Sequence, residues 1–300
     1  MTQGSIRNVS DAPGIKPPAQ PGKSFRADPV RVRLIGRALL RQGRSNMETR
    51  TVEAQLETAR RSGSPSREFL PLSPGPRTPA AVWALVPLKD FSLAKTRLAD
   101  TLDAGARQGL ALAMARDVVR ALTRACTVSR VVMVSDIPGL PGLIGLESVD
   151  CFDTGEARGL NEDLSRAAAW AQTQGAGHVL IAHADLPHLT AAGIDRFVAT
   201  TMPGSQRLRV AASKEGSGTN LLLAPLPLPL PLVFGSHSLP RFLQGAATAG
   251  LRIEVRHDPA LARDIDETQD LSALMADYRR GYLAGRATAA WLQSTPDSSP

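Results

Sequence analysis

The sequence has little cysteine and no long uninterrupted apolar segment. The first argues against a disulfide-rich protein, and the second against a membrane-spanning one. Its 300 residues include two cysteines, Cys126 and Cys151. They are too few for a disulfide framework, and they do not form a Cys-x-x-Cys pair that could bind zinc. The most hydrophobic tract, residues 221–233, is interrupted by proline at every second position from Pro225 onward. We therefore expect a globular protein of the reducing cytoplasm that does not span a membrane.

The larger part of the chain also lacks an excess of positive charge, although the whole chain has a formal net charge of +7. Of its 35 Lys and Arg and 28 Asp and Glu residues, 14 and 6 lie in residues 1–79, which leaves 21 and 22 for the remainder. Domains that bind nucleic acid normally carry a basic patch or stripe. We therefore expect no nucleic-acid partner for the remainder of the chain.

Residues 1–79 differ in composition from the rest, because Pro, Gly, Ser and Arg dominate and periodic apolar positions are scarce. This composition predicts a disordered basic extension. Within it, residues 32–40 could form a short basic amphipathic helix that docks on a membrane surface or a partner. We expect one domain over residues 80–278, followed by a C-terminal helix and tail over residues 279–300.

From Ala80 onward, short apolar runs alternate with longer amphipathic stretches, which is typical of strands joined by crossover helices. The pattern predicts an α/β domain with a mixed, mainly parallel sheet flanked by helices. Predicted strands cover residues 81–88, 130–134, 178–183, 208–212, 220–223 and 251–256. Predicted helices cover residues 104–125, 160–172, 190–200, 238–249 and 268–277. Thr190 and Thr268 are the predicted N-caps of two helices, and the prolines and glycines of residues 138–142 predict a loop.

Acidic side chains follow two of the predicted strands. Ligands of open α/β sheets bind outside the carboxyl ends of the strands, where Asp185 lies, and Asp264 and Asp266 share one side of an extended backbone. These carboxylates form a candidate Mg²⁺ site, because Mg²⁺ prefers a few carboxylates together with phosphate oxygens. Asp185 could instead cap the next helix. Asp270 is assigned to the first turn of the last predicted helix, where its charge favours the helix dipole.

Three cations and two glycine-containing loops are further candidates. Lys89, Lys95 and Arg97 leave the first strand within nine residues and would suit a polyphosphate, although they could equally be a solvated basic face. Residues 217–219 and 234–238 could hold an anionic group with backbone N–H groups and hydroxyls, or could serve only as caps. Of the histidines that flank Asp185, His183 and His188, we expect one to be packed and the other exposed, and neither to be catalytic.

Six separated motifs lie between residues 80 and 278. They are VPLKDFSLAKTRLAD (86–100), RGLNEDL (158–164), ADLP (184–187), SGTNLLL (217–223), FGSHS (234–238) and DIDETQDL (264–271). Their order and spacing resemble the 2-phospholactate/phosphoenolpyruvate guanylyltransferase family of coenzyme F-420 biosynthesis. The extension before residue 80 and the long Pro-Leu alternation of residues 225–232 depart from the family pattern.

The resemblance implies a single-domain, GT-A-like and Rossmann-like nucleotidyltransferase fold, related to the molybdenum-cofactor guanylyltransferases. It implies that GTP and Mg²⁺ activate a small phosphorylated C3 acid, that pyrophosphate is released, and that the enzyme is a monomer or a homodimer. It assigns Asp185, Asp264 and Asp266 to the metal, with Asp185 and Lys89 catalytic. It assigns Lys89, Thr219, Gly235 and Ser238 to the acid. It places Gly159 and Asn161 against the nucleotide or the acid, and Lys95 and Arg97 at the GTP phosphates.

The implied reaction is in-line attack of a phosphate oxygen of the acid on the α-phosphorus of GTP, which needs no general base because the nucleophile is already ionised. We rank 3-phospho-D-glycerate and phosphoenolpyruvate level as the acid. The Ala- and Arg-rich composition, typical of GC-rich bacteria, places the archaeal 2-phospho-L-lactate behind them. One alternative is a sugar-phosphate nucleotidyltransferase or a glycosyltransferase of the same fold. Another is a regulator that binds nucleic acid through residues 1–79.

Overall fold

A computed structural model describes residues 81–91, 94–156, 158–199 and 208–294. The predicted disordered extension over residues 1–79, and the amphipathic helix within it, lie outside these ranges. The described residues all belong to one unit of the chain, Leu72–Pro300.

A seven-stranded sheet forms the centre of this unit. Its strands are β1 (Val82–Pro87), β2 (Arg130–Ser135), β3 (Asp150–Asp153), β4 (His178–Ala182), β5 (Leu208–Ala212), β6 (Thr219–Pro225) and β7 (Ile253–Arg256). Their order in the sheet is β3-β2-β1-β4-β6-β5-β7. Strand β6 runs antiparallel to β4 and β5, whereas every other neighbouring pair is parallel. The sheet is therefore mixed and mainly parallel, as the sequence predicts.

Helices connect the strands and cover both faces of the sheet. They are α1 (Ala104–Arg124), α2 (Leu140–Leu143), α3 (Leu160–Thr173), α4 (Ala191–Ala199), α5 (Ser238–Thr248), α6 (Pro259–Ala262), α7 (Thr268–Arg279) and α8 (Arg286–Ser294). Alternate residues of β1 show the layering: Ala84 and Val86 pack into a cluster that includes α1, whereas Trp83 and Leu85 pack into one that includes α3. Burial on both faces explains why the strands are continuous apolar runs.

Two predicted helix starts have different outcomes. Thr190 caps α4, because its hydroxyl accepts a hydrogen bond from the N–H of Gly193 at 3.0 Å. The prediction that Thr268 caps the last predicted helix is wrong. Glu267 is the N-cap of α7, and its side chain and that of Asp270 each accept a hydrogen bond from the other's backbone N–H. This reciprocal capping box satisfies two backbone donors with carboxylates at the positive end of the helix dipole, and it places Asp270 in the first turn as predicted.

Two further segments extend the sequence prediction. The predicted loop over residues 138–142 includes the start of the one-turn helix α2, which follows Gly139 in the left-handed region (φ 67°) and has Pro141 in its first turn. Helix α8 packs against α1, where the carboxylate of Asp117 accepts hydrogen bonds from the N–H groups of Ala287 (2.9 Å) and Thr288 (2.7 Å). The described part of the C-terminal segment is thus joined to the rest of the unit by α1.

Candidate active site

Three strand ends meet at one edge of the sheet. Strands β1 and β4 are parallel neighbours, so Lys89 and Asp185 both follow carboxyl ends at this edge. Strand β6 is antiparallel to β4, with Ala182 opposite Leu221. Its amino end, at Thr219, therefore lies at the same edge. Because β6 is antiparallel to β4, Thr219 at the start of β6 lies at the same edge as Asp185, which follows the end of β4.

Lys95 joins two of the candidate metal ligands. Its Nζ donates hydrogen bonds to Asp185 Oδ2 at 2.6 Å and to Asp266 Oδ1 at 2.7 Å. Burial works against a charged ammonium here, but the charges of Asp185 and Asp266 raise the pKa of Lys95 above its ordinary value. Burial also opposes ionisation of Asp185, whose pKa is nevertheless lowered by the charge of Lys95. Lys95 and Asp185 therefore form a charged pair.

Asp264 completes the acidic group. The side-chain amide of Asn220 donates to Asp264 Oδ1 at 3.3 Å and to the Leu261 carbonyl oxygen at 3.1 Å. Burial, together with the charge of Asp185, raises the pKa of Asp264 to about 6. The three carboxylates selected from the sequence thus converge at the sheet edge. Asn220, beside Thr219 in the SGTNLLL motif, is a residue of this group that the sequence alone does not indicate.

The donor chemistry of this group fits a divalent cation. Asp185 Oδ1 is buried and has no hydrogen-bond partner in the described part of the chain, and carboxylate oxygens are the ligands that Mg²⁺ prefers. Within the described ranges, however, no three His, Cys, Asp or Glu side chains are placed so that they could hold a metal ion as they stand. Instead, the Lys95 ammonium supplies positive charge to two of the carboxylates.

One cavity at this edge, the β6 cavity, has a volume of about 430 Å³. Thr219, Gly235 and Ser238, three of the residues expected at the acid, line it together with Asp264 and Asp266. The Thr219 hydroxyl is buried and has no partner among the described residues. Gly235 has a φ of 118°, a backbone conformation that favours glycine. This cavity is therefore formed largely by tight turns and short polar side chains.

The second cavity, the β1 cavity, has a volume of about 460 Å³ and lies beside the first. Lys89, Phe91, Lys95 and Met114 are among the residues that line it. Arg97, predicted to act with Lys95, lines the β6 cavity instead and forms an exposed ion pair with Glu267 at 3.3 Å. The β1 cavity thus combines apolar surface with long cationic side chains.

Lys89 is not grouped with the other residues predicted to bind the acid. It lines the β1 cavity, its side chain is 52% exposed, and its Nζ lies 3.8 Å from Asp163 Oδ2. Sequence position alone could not separate the two cavities, since Lys89 and Thr219 both adjoin strands that end at the same edge.

Gly159 and Asn161, the other predicted nucleotide contacts, do not line either of these two cavities. Gly159 precedes α3 with a φ of 107°. The side-chain amide of Asn161 donates to the Phe234 carbonyl oxygen at 3.0 Å, and its oxygen accepts from the Phe234 N–H at 2.7 Å. Asn161 thus connects the start of α3 to the loop before α5. Its role at a nucleotide stays a prediction.

The two histidines beside Asp185 differ from the expectation, because neither is exposed. His188 is 9% exposed, and its Nε2 lies 3.3 Å from Asp277 Oδ2. Asp277, which also accepts a hydrogen bond from Arg263 at 2.6 Å, had not been assigned a role from the sequence. His183 is partly buried and lines both cavities. Burial lowers the pKa of both imidazoles.

The comparison with solved structures concerns the fold. A crystal structure described as a nucleotide-diphospho-sugar transferase, from Desulfovibrio desulfuricans G20, matches the fold with a TM-score of 0.56. The match covers 71% of this chain and 94% of that one, at 15% sequence identity. The predicted α/β nucleotidyltransferase fold is confirmed.

The family follows from sequence comparison. A family profile described as "Guanylyl transferase CofC like" matches residues 82–284. A phosphoenolpyruvate guanylyltransferase of Conexibacter woesei is 35% identical over 207 residues, covering 68% of this chain and 92% of that protein. One from Rubrobacter xylanophilus is 36% identical over 213 residues, covering 69% and 100%. The chain belongs to the CofC-like guanylyltransferase family and is a nucleotidyltransferase.

This membership confirms the predicted family and enzyme class, and it does not favour a sugar-nucleotide enzyme. Where the chain is described, none of its helices has both the length and the apolar surface to cross a bilayer.

Proposed function

We propose that the protein transfers a guanylyl group from GTP to phosphoenolpyruvate with Mg²⁺ and releases pyrophosphate, as a step of coenzyme F-420 biosynthesis. The observation that carries the proposal is that Asp185 lines both of two cavities of similar volume, about 430 and 460 Å³. A reaction that joins two anionic substrates needs such a pair of sites around one cation-binding group. The names of the related proteins favour phosphoenolpyruvate over the other acids.

The β6 cavity would hold the phosphorylated acid. Its Thr219 hydroxyl has no partner among the described residues and can donate to a carboxylate or phosphate oxygen. Ser238 begins α5, where the helix dipole favours an anion. Because these groups are short and buried, they can distinguish small acids by shape.

The β1 cavity would hold GTP. Phe91, which is 6% exposed, and the partly buried Ala94 offer apolar surface for a purine ring, and Lys89 lines the same cavity. Lys95 also lines it, and its ammonium would offset the charge of the phosphates. The leaving pyrophosphate carries the largest negative charge, so the long lysine side chains would act there.

The chemistry would proceed by in-line attack. A phosphate oxygen of the acid forms a bond to the α-phosphorus, the bond from that phosphorus to the β-phosphate bridging oxygen breaks, and pyrophosphate departs with the electron pair. Asp185, Asp264 and Asp266 would hold Mg²⁺, which when bound supplies positive charge to the reacting phosphates. Lys95, now paired with Asp185 and Asp266, would move its ammonium to the triphosphate.

A competition assay tests the proposal. GTP and Mg²⁺ are offered with equal concentrations of phosphoenolpyruvate, 3-phospho-D-glycerate and 2-phospho-L-lactate, and the products are separated by mass. We expect the phosphoenolpyruvate product to dominate. A dominant 3-phosphoglycerate product would contradict the choice of acid, and no product from any acid would contradict guanylyl transfer to this class of substrate.

A further inference from the structure

His183 occupies a special position between the two cavities. Among the described residues, His183 and Asp185 are the two that line both the β6 cavity and the β1 cavity. We infer that His183 is a catalytic residue that donates an imidazole N–H hydrogen bond to the phosphate oxygens around the reacting α-phosphorus. This inference rests on the proposed function, because it needs the acid in one cavity and GTP in the other.

The location of the reaction follows from the substrates' positions. If each cavity holds one substrate, the new phosphorus–oxygen bond must form where the cavities meet. Side chains on the shared wall are then within reach of the reacting atoms. The carboxylate of Asp185 is suited to a cation and would repel phosphate. His183 is therefore the residue of this wall that can donate a hydrogen bond directly to the reacting group, and it has an N–H donor in either protonation state.

The contacts of His183 hold its ring in place. Its backbone N–H donates to the Asn220 carbonyl oxygen at 3.1 Å, which fixes the main chain beside β6. Its ring makes a T-shaped contact with the ring of Phe234, with the ring centroids 5.2 Å apart. Phe234 is itself held at its backbone by Asn161. A donor oriented before the substrates bind is more effective than one that must be ordered during the reaction.

The imidazole also remains available for a ligand. Within the described ranges, none of the side-chain hydrogen bonds involves its ring nitrogens, and its contact with Phe234 is between the two rings. His188, five residues later, differs because its Nε2 lies 3.3 Å from a carboxylate oxygen of Asp277. The two histidines therefore differ: His188 pairs with a side chain of the protein, whereas His183 lines the two cavities proposed for the substrates.

Two substitutions separate hydrogen bonding from packing. His183→Phe keeps a ring against Phe234 but removes the donor, whereas His183→Gln keeps an N–H donor without the ring. Steady-state pyrophosphate release is measured with GTP and phosphoenolpyruvate. We expect kcat of His183→Phe to fall about a hundredfold with both KM values within about threefold of wild type, and kcat of His183→Gln to remain within about tenfold. His257→Phe, at an exposed position outside both cavities, is the control and should match wild type.

Wild-type kcat in His183→Phe, or equal losses in the Phe and Gln variants with unchanged thermal unfolding, would overturn the inference. If His183→Phe does not fold, His183→Ala assayed with and without added imidazole decides the question, since a lost donor is restored by the free base and lost packing is not. An inactive wild-type enzyme with all three acids would instead contradict the proposed function. An active wild type with unaffected His183 variants would contradict only the role of His183.

Discussion

The β6 cavity and the β1 cavity differ in how their polar groups are held. In the β6 cavity, Thr219 is 5% exposed and Ser238 is 2% exposed. Thr219 is the first residue of β6, and Ser238 is the first residue of α5. In the β1 cavity, the side chain of Lys89 is 52% exposed and reaches its site through four rotatable bonds. The hydroxyls of Thr219 and Ser238 are therefore held in place before a ligand binds, whereas the Lys89 ammonium can adjust to its ligand.

This difference matches what the two proposed substrates require. A three-carbon acid offers few atoms, so it is selected best by short groups that lose little conformational entropy on binding. A triphosphate offers many charged oxygens, and flexible ammonium groups can follow them through the reaction. The comparison therefore predicts that substitutions in the β6 cavity alter the KM for the acid, whereas those in the β1 cavity alter the KM for GTP.

The largest effect is expected at the wall that both cavities share. Asp185→Asn removes the charge of a proposed metal ligand and should lower turnover by about three orders of magnitude or more with the fold intact. Pyrophosphate release at saturating substrates measures the loss, with circular dichroism as the check on folding. Asp100→Asn, an exposed substitution outside both cavities, should have no effect. Near-normal turnover of Asp185→Asn would contradict its assignment as a metal ligand, and with it the proposal that the two cavities share one cation site.

Substitution of Lys95 tests whether the Lys95 ammonium competes with the metal ion for the carboxylates. Lys95→Met leaves Asp185 and Asp266 without their shared counter-charge. Binding of Mn²⁺ to the nucleotide-free protein should therefore tighten roughly tenfold or more, as measured by calorimetry, while the KM for GTP rises. Lys214→Met removes an exposed lysine paired with Asp270 at 3.3 Å and should leave Mn²⁺ affinity unchanged. Equal Mn²⁺ affinity in wild type and Lys95→Met would show that Lys95 does not compete with the metal.

Thr219→Val sharpens the assignment of the β6 cavity. The substitution keeps the volume and removes a buried hydroxyl that has no partner in the described ranges. We expect the KM for phosphoenolpyruvate to rise about tenfold, the value of one hydrogen bond to a charged group, and the KM for GTP to stay constant. Thr248→Val, at the end of α5, is the matched control. A rise in the KM for GTP alone would mean that the cavities have been assigned in reverse.

Lys89→Met has the smallest expected effect. Because the Lys89 ammonium is half-exposed, solvent screens its charge, and we expect only a few-fold rise in the KM for GTP. Substrate titrations of each partner at saturating levels of the other measure this change. A rise in the KM for the acid would support the role implied by the family resemblance, and it would contradict the assignment of the β1 cavity to GTP.

Much of the fold could be predicted because its signals are local. The apolar runs that became β1 and β4 are continuous, since both faces of the sheet are covered by helices, and the amphipathic segments became α1 and α3 with bounds within one residue of prediction. Thr268 shows the limit of local reasoning. A good capping residue was present, but a neighbouring pair of carboxylates satisfied more backbone donors.

The candidate site was predictable only where sheet geometry determines it. Asp185, Asp264 and Asp266 converge because strand ends and their following loops gather at one edge. The ion pairs of Lys95 join residues 90 and 171 positions apart, and such contacts depend on tertiary packing that no local pattern encodes. The separation of Lys89 from Thr219, and the position of His183 between the cavities, have the same origin.

The reciprocal hydrogen bonds between Asn161 and the Phe234 backbone have a consequence for protein engineering. The segment from residue 226 to residue 238 is an attractive target for grafting loops from relatives in order to change which acid is accepted. A graft that shifts the position of Phe234 by one residue would lose both bonds to Asn161 and the aromatic support of His183. Loop exchange should therefore succeed only when the donor segment keeps the backbone spacing that Asn161 requires, or when the start of α3 is transplanted with it.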